Sequence, residues 1–308
     1  MIDIILLGTS ALLPLPERAL TSAALFCEGH SILFDCGEGT QTSARKHGVS
    51  LMKTEIIALT HYHGDHILGI PGLLQTMSCM GRTEKIYITG PEGLHEAMKP
   101  ILALTDFISF DVELITLPED GLKLCELIKG WPSGARLTAF KTEHRVPSQG
   151  YCFTLSRQGK FYPERAQALN IPVKLWHVLQ NGENITLDDK IITPSDVMGE
   201  ARKGLKIIFT GDTTKCDSII NASRDADLLI CEATYGEDSQ AEKAKDYGHM
   251  NFAQAAEIAR DADVKRLWLT HFSQVMRDPV HYLPNAQKIF PEAICSYDGI
   301  KMTLKPDS

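Results

Sequence analysis

The stretch Thr60-His61-Tyr62-His63-Gly64-Asp65-His66 places four potential metal ligands within six residues. It follows the apolar run Ile56-Ile57-Ala58-Leu59, which predicts a buried strand ending in a ligand-bearing loop. His61 and His63 can reach one cation from the same side, while Asp65 and the next histidine point toward a second position. Imidazoles and a carboxylate suit zinc or, less selectively, manganese or iron. The alternative, a polar loop with scattered histidines, fits three histidines in seven residues poorly.

The composition, 44% hydrophobic and 23% charged over 308 residues, is that of an ordinary soluble enzyme. No apolar run approaches the roughly 20 residues that span a bilayer, and residues 1–8 predict a first strand rather than a signal peptide. The eight scattered cysteines form no Cys-x-x-Cys pair and indicate thiols in a reducing compartment. We therefore expect a cytoplasmic protein without a membrane partner, folded as a single domain over residues 1–308.

The formal net charge of -8 argues against indiscriminate binding of nucleic acids, because such binding requires a basic surface. We therefore expect no DNA partner. A local basic arm or recognition of phosphate through metal ions remains compatible with this charge.

Strand-like and helix-like segments alternate along most of the chain, which indicates a layered α/β architecture. The helical spacing of apolar residues predicts helices over 67–80, 92–104 and 252–262, with Asn251 as the N-cap of the last. Further strands are predicted at 21–26, 31–34, 86–89, 112–117, 135–141, 150–155, 205–210, 227–231 and 266–270.

Other candidate ligands follow later strands. Asp212, which comes after a strand and Gly211, is placed to bridge two cations with its two oxygens, and His271 follows the last clear strand. His144 is a lone loop histidine, a class that more often faces solvent, but a zinc on two histidines needs a third protein ligand. Asp35, at another strand end, could orient a metal-bound histidine or cap the following helix. The sequence leaves both roles open.

Residues 157–206 interrupt the alternation with a segment rich in Gly, Pro and polar residues. The segment has a short helix signal at 163–169 and carries eight Lys or Arg against six Asp or Glu. It could be a surface insertion without consequence. Because long excursions from compact domains are often functional, we interpret it as a candidate substrate-binding arm.

With these residues assembled, the chain resembles the metallo-β-lactamase-fold hydrolases and, within them, the ribonuclease Z family of tRNA 3′-processing endoribonucleases. The His-x-His-x-Asp-His pattern is specific to the superfamily. Narrower family matches cover nearly the whole length and lie at 9–10, 14–22, 34–41, 144–151, 159–172, 209–213, 232–234, 248–250 and 269–273.

This resemblance implies an α/β fold of the four-layered αβ/βα sandwich type with an inserted arm. It also implies two zinc ions per subunit, with manganese or another divalent metal as alternatives, and a homodimer whose arms clamp precursor tRNA. One zinc would be held by His61, His63 and His144, the second by Asp65, His66 and His271, with Asp212 bridging.

In such a site Asp65 is the candidate general base. The resemblance assigns His249, oriented by Glu232, as the proton donor to the leaving ribose oxygen, although on sequence alone His249 is a loop histidine near a helix start. The expected products are a tRNA 3′-hydroxyl and a trailer with a 5′-phosphate. The chain departs from the family pattern at 171–177, at Cys231 and at 273–277, and none of these is a proposed ligand.

Two other functions are compatible with the same residues. One is a phosphodiesterase or arylsulfatase-like hydrolase that acts on a small ester, which would have no need of the arm. The other is a metal-free binding protein that kept the fold, which would be expected to have lost ligands.

Overall fold

The computed structural model describes residues 1–105, 107–188 and 190–306. Within them, seven strands form a first sheet: β1 (Ile2–Gly8), β2 (Ser22–Cys27), β3 (His30–Phe34), β4 (Thr54–Ala58), β5 (Ile86–Thr89), β6 (Val112–Ile115) and β16 (Lys301–Leu304). Their order is β16-β1-β2-β3-β4-β5-β6. The strands from β3 to β6 are parallel to one another, and the remaining pairs are antiparallel.

Seven more of the described strands form a second sheet: β7 (Leu122–Lys123), β8 (Ala135–Lys141), β9 (Gln149–Arg157), β12 (Arg202–Phe209), β13 (Leu228–Glu232), β14 (Leu267–Thr270) and β15 (Ala293–Cys295). Their order is β15-β14-β13-β12-β9-β8-β7. The strands from β12 to β15 are parallel, and β7, β8, β9 and β12 pair antiparallel. Each sheet therefore has one parallel half.

The described helices are short and mostly connect strands. They are α1 (Thr40–Lys46), α2 (Gly64–Ile67), α3 (Ile70–Cys79), α4 (Leu94–Ala103), α5 (Leu124–Leu127), α6 (Pro163–Ala168), α7 (Trp176–Gln180), α8 (Pro194–Val197), α9 (Asp217–Ser223), α10 (Ala241–Asp246), α11 (Phe252–Asp261) and α12 (Leu283–Gln287). None of them is both long enough and apolar enough to cross a membrane.

Three apolar cores stack these elements into four layers. The central core joins the inner faces of the two sheets, where the ring of Phe34 lies 5.8 Å from Tyr151 and 5.4 Å from Phe209. A second core packs the first sheet on α1, α3 and α4, and a third packs the other sheet on α9, α11 and α12. Because β13 is covered on both faces, all five of its residues are buried. The predicted four-layered αβ/βα sandwich is confirmed.

The helix predicted over 67–80 is wrong in its bounds. The structure has two helices, α2 and α3, with a break at Leu68 and Gly69. At the break the Gly69 amide donates to the Cys36 carbonyl at 2.9 Å, and a Cβ on Gly69 would lie 2.0 Å from the Gly37 carbonyl oxygen. Close packing against the loop after β3 therefore ends the first helix. The prediction of Asn251 as N-cap of α11 is confirmed, since its side chain accepts from the Gln254 amide.

The segment between β9 and β12 forms a small unit of its own. It contains α6, α7, α8 and a hairpin of β10 (Ile185–Leu187) with β11 (Lys190–Ile192). Its core is buried among its own residues: Ala166, Ile171, Leu179, Ile185, Ile192, Val197 and Met198. The arm predicted over 157–206 overlaps both flanking strands, and the part outside the sheet is 158–201.

Candidate metal centre

The predicted ligands lie where the carboxyl ends of the parallel strands of the two sheets meet. The stretch 61–66 follows β4 in the first sheet, while Asp212 follows β12 and His271 follows β14 in the second. Side chains beyond the carboxyl ends of parallel strands are held by a rigid scaffold, and this is where ligands commonly bind in α/β folds.

One group of ligand-type atoms is formed by His61, His63, His144 and Asp212, all within 4.8 Å of one another. His63 Nδ1 lies 3.0 Å from His61 Nε2 and 3.3 Å from His144 Nε2. His144, which the sequence shows only as a lone loop histidine, thus lies beside His61 and His63. The need for a third zinc ligand had associated it with these two residues.

Asp65, His66 and His271 form a second group within the same limit. Asp65 Oδ2 lies 3.6 Å from His66 Nε2 and 3.5 Å from His271 Nε2. Asp212 lies between the groups, because Oδ2 is 3.7 Å from His61 Nε2 and 3.4 Å from His66 Nε2, while Oδ1 is 3.2 Å from His271 Nε2. The seven residues are therefore brought together with Asp212 between the two groups. A third group within the same limit joins Asp212 and His271 to His249.

Three of these ligand-type atoms are buried and make no hydrogen bond within the described residues: His66 Nε2, His271 Nε2 and Asp212 Oδ1. Buried polar atoms are nearly always satisfied, so three such atoms facing one another fit a shared cation. The donor set of imidazole nitrogens and carboxylate oxygens is the set that zinc prefers. The residues therefore fit a divalent metal centre.

Close packing of the backbone keeps the two halves of the site together. Gly211 has a φ of 61°, and a Cβ there would lie 2.5 Å from the Thr60 Cβ. Asp35 and His271 have φ values of 54° and 58°, a left-handed conformation that is costly for residues other than glycine. The loops from the two sheets are thus held in strained but close contact.

Of the two roles that the sequence left open for Asp35, the structure excludes the helix cap and shows a hydrogen bond to His66, a predicted ligand. Its Oδ2 accepts from His66 Nδ1 at 2.8 Å, and its Oδ1 accepts from the Thr60 amide at 2.8 Å. Helix α1 begins after Gly39 and has no side-chain cap, so Asp35 does not cap it. Similarly, His144 Nδ1 donates to the Gly248 carbonyl at 2.8 Å, which directs Nε2 toward the ligand group.

His249 lies beside the ligand cluster and is held by Glu232. His249 Nδ1 is 2.9 Å from Glu232 Oε1, and the nearest Asp212 oxygen is 3.9 Å away. Glu232 is buried and also accepts from the amides of Thr213 and Thr234. The predicted pairing of His249 with Glu232 is therefore present in the fold.

The charges in the cluster shift its pKa values in opposite directions. Burial lowers the pKa of His61 well below its usual value, and the neighbouring imidazoles add to this. Burial would also lower the pKa of His66, but the charges of Asp212, Asp35 and Asp65 raise it well above its usual value. Burial opposes ionisation of Asp212 as well, yet the adjacent histidines hold its pKa well below the usual range.

The pKa of His249 is raised to about 9. Burial alone would lower it, but the charge of Glu232 and the hydrogen bond to it outweigh burial. The contact with Glu232 therefore favours the protonated form of this ring.

A cleft of about 570 Å³ opens over the cluster, and sequence reasoning missed several residues of its wall. Arg145 lies 5.8 Å from the ring centroid of Tyr247, and Lys243 lies 5.6 Å from that of Tyr235. Leu12 also lines the cleft, with its amide 2.8 Å from Asp65 Oδ2. The available signal was that Arg145, Tyr235 and Tyr247 lie in or next to the motifs 144–151, 232–234 and 248–250. A position next to a motif does not show which side chains face the cleft.

Comparison with known proteins assigns the superfamily and a narrower family. A model described as the beta-lactamase superfamily domain matches residues 165–272, and one described as anti-Pycsar protein Apyc1 matches residues 2–103. Ribonuclease Z of Lachnospira eligens is 41% identical over 100% of this chain and 99% of the relative. Ribonuclease Z of Clostridium beijerinckii is 41% identical over 99% of this chain and 98% of the relative.

A solved structure gives the same result. The short form of human tRNase Z has a TM-score of 0.67 and 28% identity, covering 98% of this chain and 99% of that chain. The long-form RNase Z from yeast, at 18% identity and a TM-score of 0.66, matches in fold over 98% of this chain and 41% of that chain.

Proposed function

Because the chain belongs to the ribonuclease Z family, we propose that it is a metal-dependent endoribonuclease that cleaves precursor tRNA on its 3′ side and removes the trailer. One observation carries the proposal. Seven candidate ligands from both sheets converge around two positions, directly beside the His249–Glu232 pair. This arrangement combines a centre for water activation with a separate proton donor, as hydrolysis of a phosphodiester requires.

The proposed cofactor is a pair of divalent cations, most simply zinc, with manganese as an alternative. The first would be held by His61, His63 and His144, the second by Asp65, His66 and His271, with Asp212 between them. When bound, such cations activate water at neutral pH and neutralise the charge of the phosphate.

Asp65 is the proposed general base. Its Oδ2 accepts the Leu12 amide at 2.8 Å, which fixes the carboxylate at the floor of the cleft. The attacking water adds its oxygen to phosphorus and gives a proton to Asp65, while the bond from phosphorus to the ribose 3′-oxygen breaks.

His249 is the proposed proton donor. Glu232 holds its Nδ1, so Nε2 is the nitrogen left to protonate the departing 3′-oxygen. Because His249 also lines the cleft, it can contact a substrate there. The products are a tRNA with a 3′-hydroxyl and a trailer with a 5′-phosphate.

We assign gripping of the tRNA to the arm. Residues 157–206 carry eight Lys or Arg against six Asp or Glu. Four of the eight basic residues lie on the flanking strands β9 and β12, so the part outside the sheet carries four Lys or Arg against six Asp or Glu. Lys174 and Lys190 are exposed on the part outside the sheet. Basic side chains bind phosphate and release counterions, so these two lysines can supply local contacts to the phosphates of tRNA.

We further propose a homodimer. Large apolar side chains are exposed near the carboxyl ends of α3 and α4, with Phe107 97%, Leu104 66% and Met80 54% exposed. Gln75 donates to the Leu104 carbonyl, which places these two ends side by side. Large exposed apolar side chains at neighbouring helix ends are typical of protein contacts.

Each of the eight cysteines, all of them within the described residues, is a free thiol, in keeping with a reducing compartment such as the cytoplasm.

The decisive test is incubation of the purified protein with a precursor tRNA, followed by mapping of the cleaved bond. Cleavage at the 3′ side with a 5′-phosphate on the trailer is expected. A parallel assay with bis(p-nitrophenyl) phosphate distinguishes the alternative: hydrolysis of this small diester without any cleavage of tRNA would favour a small-ester phosphodiesterase. Absence of zinc and of both activities, even after addition of zinc or manganese, would favour a metal-free binding protein.

A further inference from the structure

Each sheet carries the same three kinds of side chain, joined in the same way behind the ligand cluster. A buried carboxylate, a buried threonine hydroxyl and two imidazoles form a hydrogen-bonded set at the carboxyl ends of neighbouring parallel strands. In the first sheet the set is Asp35, Thr60, His61 and His66, and in the second it is Glu232, Thr234, His271 and His249.

In the first set the carboxylate accepts a hydrogen bond from one imidazole directly and is linked to the other imidazole through the threonine hydroxyl. His66 Nδ1 donates to Asp35 Oδ2 at 2.8 Å. Thr60 Oγ1 donates to the same oxygen at 2.9 Å and lies 3.1 Å from His61 Nδ1. A hydroxyl has one hydrogen, and here it is given to a carboxylate that can only accept. With that hydrogen given to Asp35, the hydrogen between Thr60 and His61 is assigned to His61 Nδ1.

The second set follows the same pattern. His249 Nδ1 donates to Glu232 Oε1 at 2.9 Å, and Thr234 Oγ1 donates to Glu232 Oε2 at 2.9 Å. Thr234 Oγ1 also lies 2.9 Å from His271 Nδ1. Because the threonine hydrogen is already given to Glu232, the hydrogen of this contact is on His271 Nδ1.

The tautomers fixed in this way suit metal binding. With hydrogen on Nδ1, the Nε2 of a neutral imidazole has a free lone pair, and it is Nε2 that faces the shared carboxylate in both rings. His61 Nε2 lies 3.7 Å and His271 Nε2 3.2 Å from Asp212 oxygens. Both rings are buried, so water is poorly placed to replace a lost acceptor at Nδ1.

We propose that Thr60 and Thr234 are positioning residues that hold His61 and His271 in the Nδ1-protonated tautomer, one for each cation of the centre. The inference rests on the proposed metal centre and adds residues that are not themselves ligands. Partners that orient a metal-bound histidine commonly change metal affinity 10- to 100-fold when removed. In this chain a threonine hydroxyl has this role, because it donates to a carboxylate and accepts a hydrogen bond from the second imidazole.

The variants Thr60→Val and Thr234→Val test this, because valine keeps the branched shape and removes the hydroxyl. Thr60→Ser and Thr234→Ser keep the hydroxyl and should restore the wild-type behaviour. Thr89→Val and Thr270→Val are matched controls, since both threonines are buried at strand ends and their hydroxyls have no hydrogen-bond partner among the described residues. Should a valine variant fail to fold, the serine and alanine variants of the same position compare the hydroxyl alone.

Two measurements on the full-length protein read out the effect. Competition between the protein and a chelator, with zinc chloride as the probe, should give zinc binding about 10- to 100-fold weaker in each valine variant. In the zinc-loaded protein labelled with ¹⁵N-histidine, solvent-protected Nδ1–H signals of His61 and His271 are expected in the wild type. Each valine variant should lose protection at its own partner ring, and the serine variants and both controls should keep it.

Unchanged zinc affinity and Nδ1–H protection in both valine variants, with a wild type that binds zinc, would overturn the role of the threonines alone. Serine variants as weak as the valine variants would also overturn it, because the hydroxyl would then not be the cause. A wild type that binds no zinc would instead overturn the metal centre, and this inference with it.

Discussion

Glu232 holds the ring of His249 through a 2.9 Å hydrogen bond to Nδ1 and is itself buried at the end of β13. The pair lies next to the ligand cluster without belonging to the seven predicted ligands. A substitution that removes this ring therefore tests proton donation while all seven predicted ligands remain.

Substitution His249→Ala should lower the turnover of precursor tRNA by about 10²- to 10⁴-fold, the usual contribution of a general acid. Zinc content should stay at the wild-type level, because the seven ligands remain. Turnover and metal content measured on the same preparation check this. His95→Ala, which removes an exposed histidine of α4, is the control. Unchanged turnover in His249→Ala would remove the residue from the mechanism.

Substitution Gly211→Ala should destabilise the fold and loosen the metal centre. The new Cβ would lie 2.5 Å from the Thr60 Cβ at a φ of 61°, so the loops from the two sheets must separate. We expect the free energy of unfolding to fall by about 1–3 kcal/mol, measured by urea denaturation together with zinc content.

Gly29→Ala is its matched control, because Gly29 also has a positive φ, 96°, but no atom within 4 Å of the added Cβ. It should show the cost of the backbone conformation without the clash. Equal losses of stability and of zinc in both variants would contradict the role assigned to the contact between Gly211 and Thr60.

The double substitution Lys174→Glu and Lys190→Glu should weaken binding of precursor tRNA and leave hydrolysis of bis(p-nitrophenyl) phosphate unchanged. If both lysines contact phosphates, the slope of log affinity against log salt should become shallower by about one for each contact. Lys53→Glu with Lys301→Glu makes the same change of charge outside the arm and is the control. If this control weakened tRNA binding as much as the arm variant, net charge rather than the arm would be responsible.

Substitution Phe107→Asp should convert a dimer into a monomer, because it places a charge on an apolar side chain that is 97% exposed in the single chain. Sedimentation velocity measures the change, and hydrolysis of the small diester should persist. Val280→Asp, at another exposed apolar position, should leave the dimer intact. A wild-type protein that sediments as a monomer would refute the proposed dimer.

Removal of zinc by a chelator should lower the thermal midpoint of unfolding, since a ligand bound only by the folded state stabilises it by mass action. At free zinc 100 times the dissociation constant, each site contributes about 2.7 kcal/mol. Calorimetry with and without zinc measures the shift. Identical midpoints, in a protein shown to be free of zinc after chelation, would contradict a metal centre shared by both sheets.

Some of the site was predictable because it is local in the chain. The spacing from His61 to His66 and the apolar run before it place ligands at a strand end, and these depend on neighbouring residues alone. The same holds for the cap at Asn251, whose partner is three residues away. The bounds of α2 and α3 were missed because the break at Gly69 arises from a distant loop, the one that contains Cys36 and Gly37.

By itself the sequence determined which side chains are available as ligands, the alternation of strands and helices and, through resemblance, the family. Only the tertiary structure decided that His144 joins His61 and His63, that Asp35 orients His66 instead of capping a helix, and that the described residues between β9 and β12 have a small core of their own. The reason is physical. Strand and helix patterns follow from near neighbours, whereas the distance between two side chains from different strands depends on how the sheets pack.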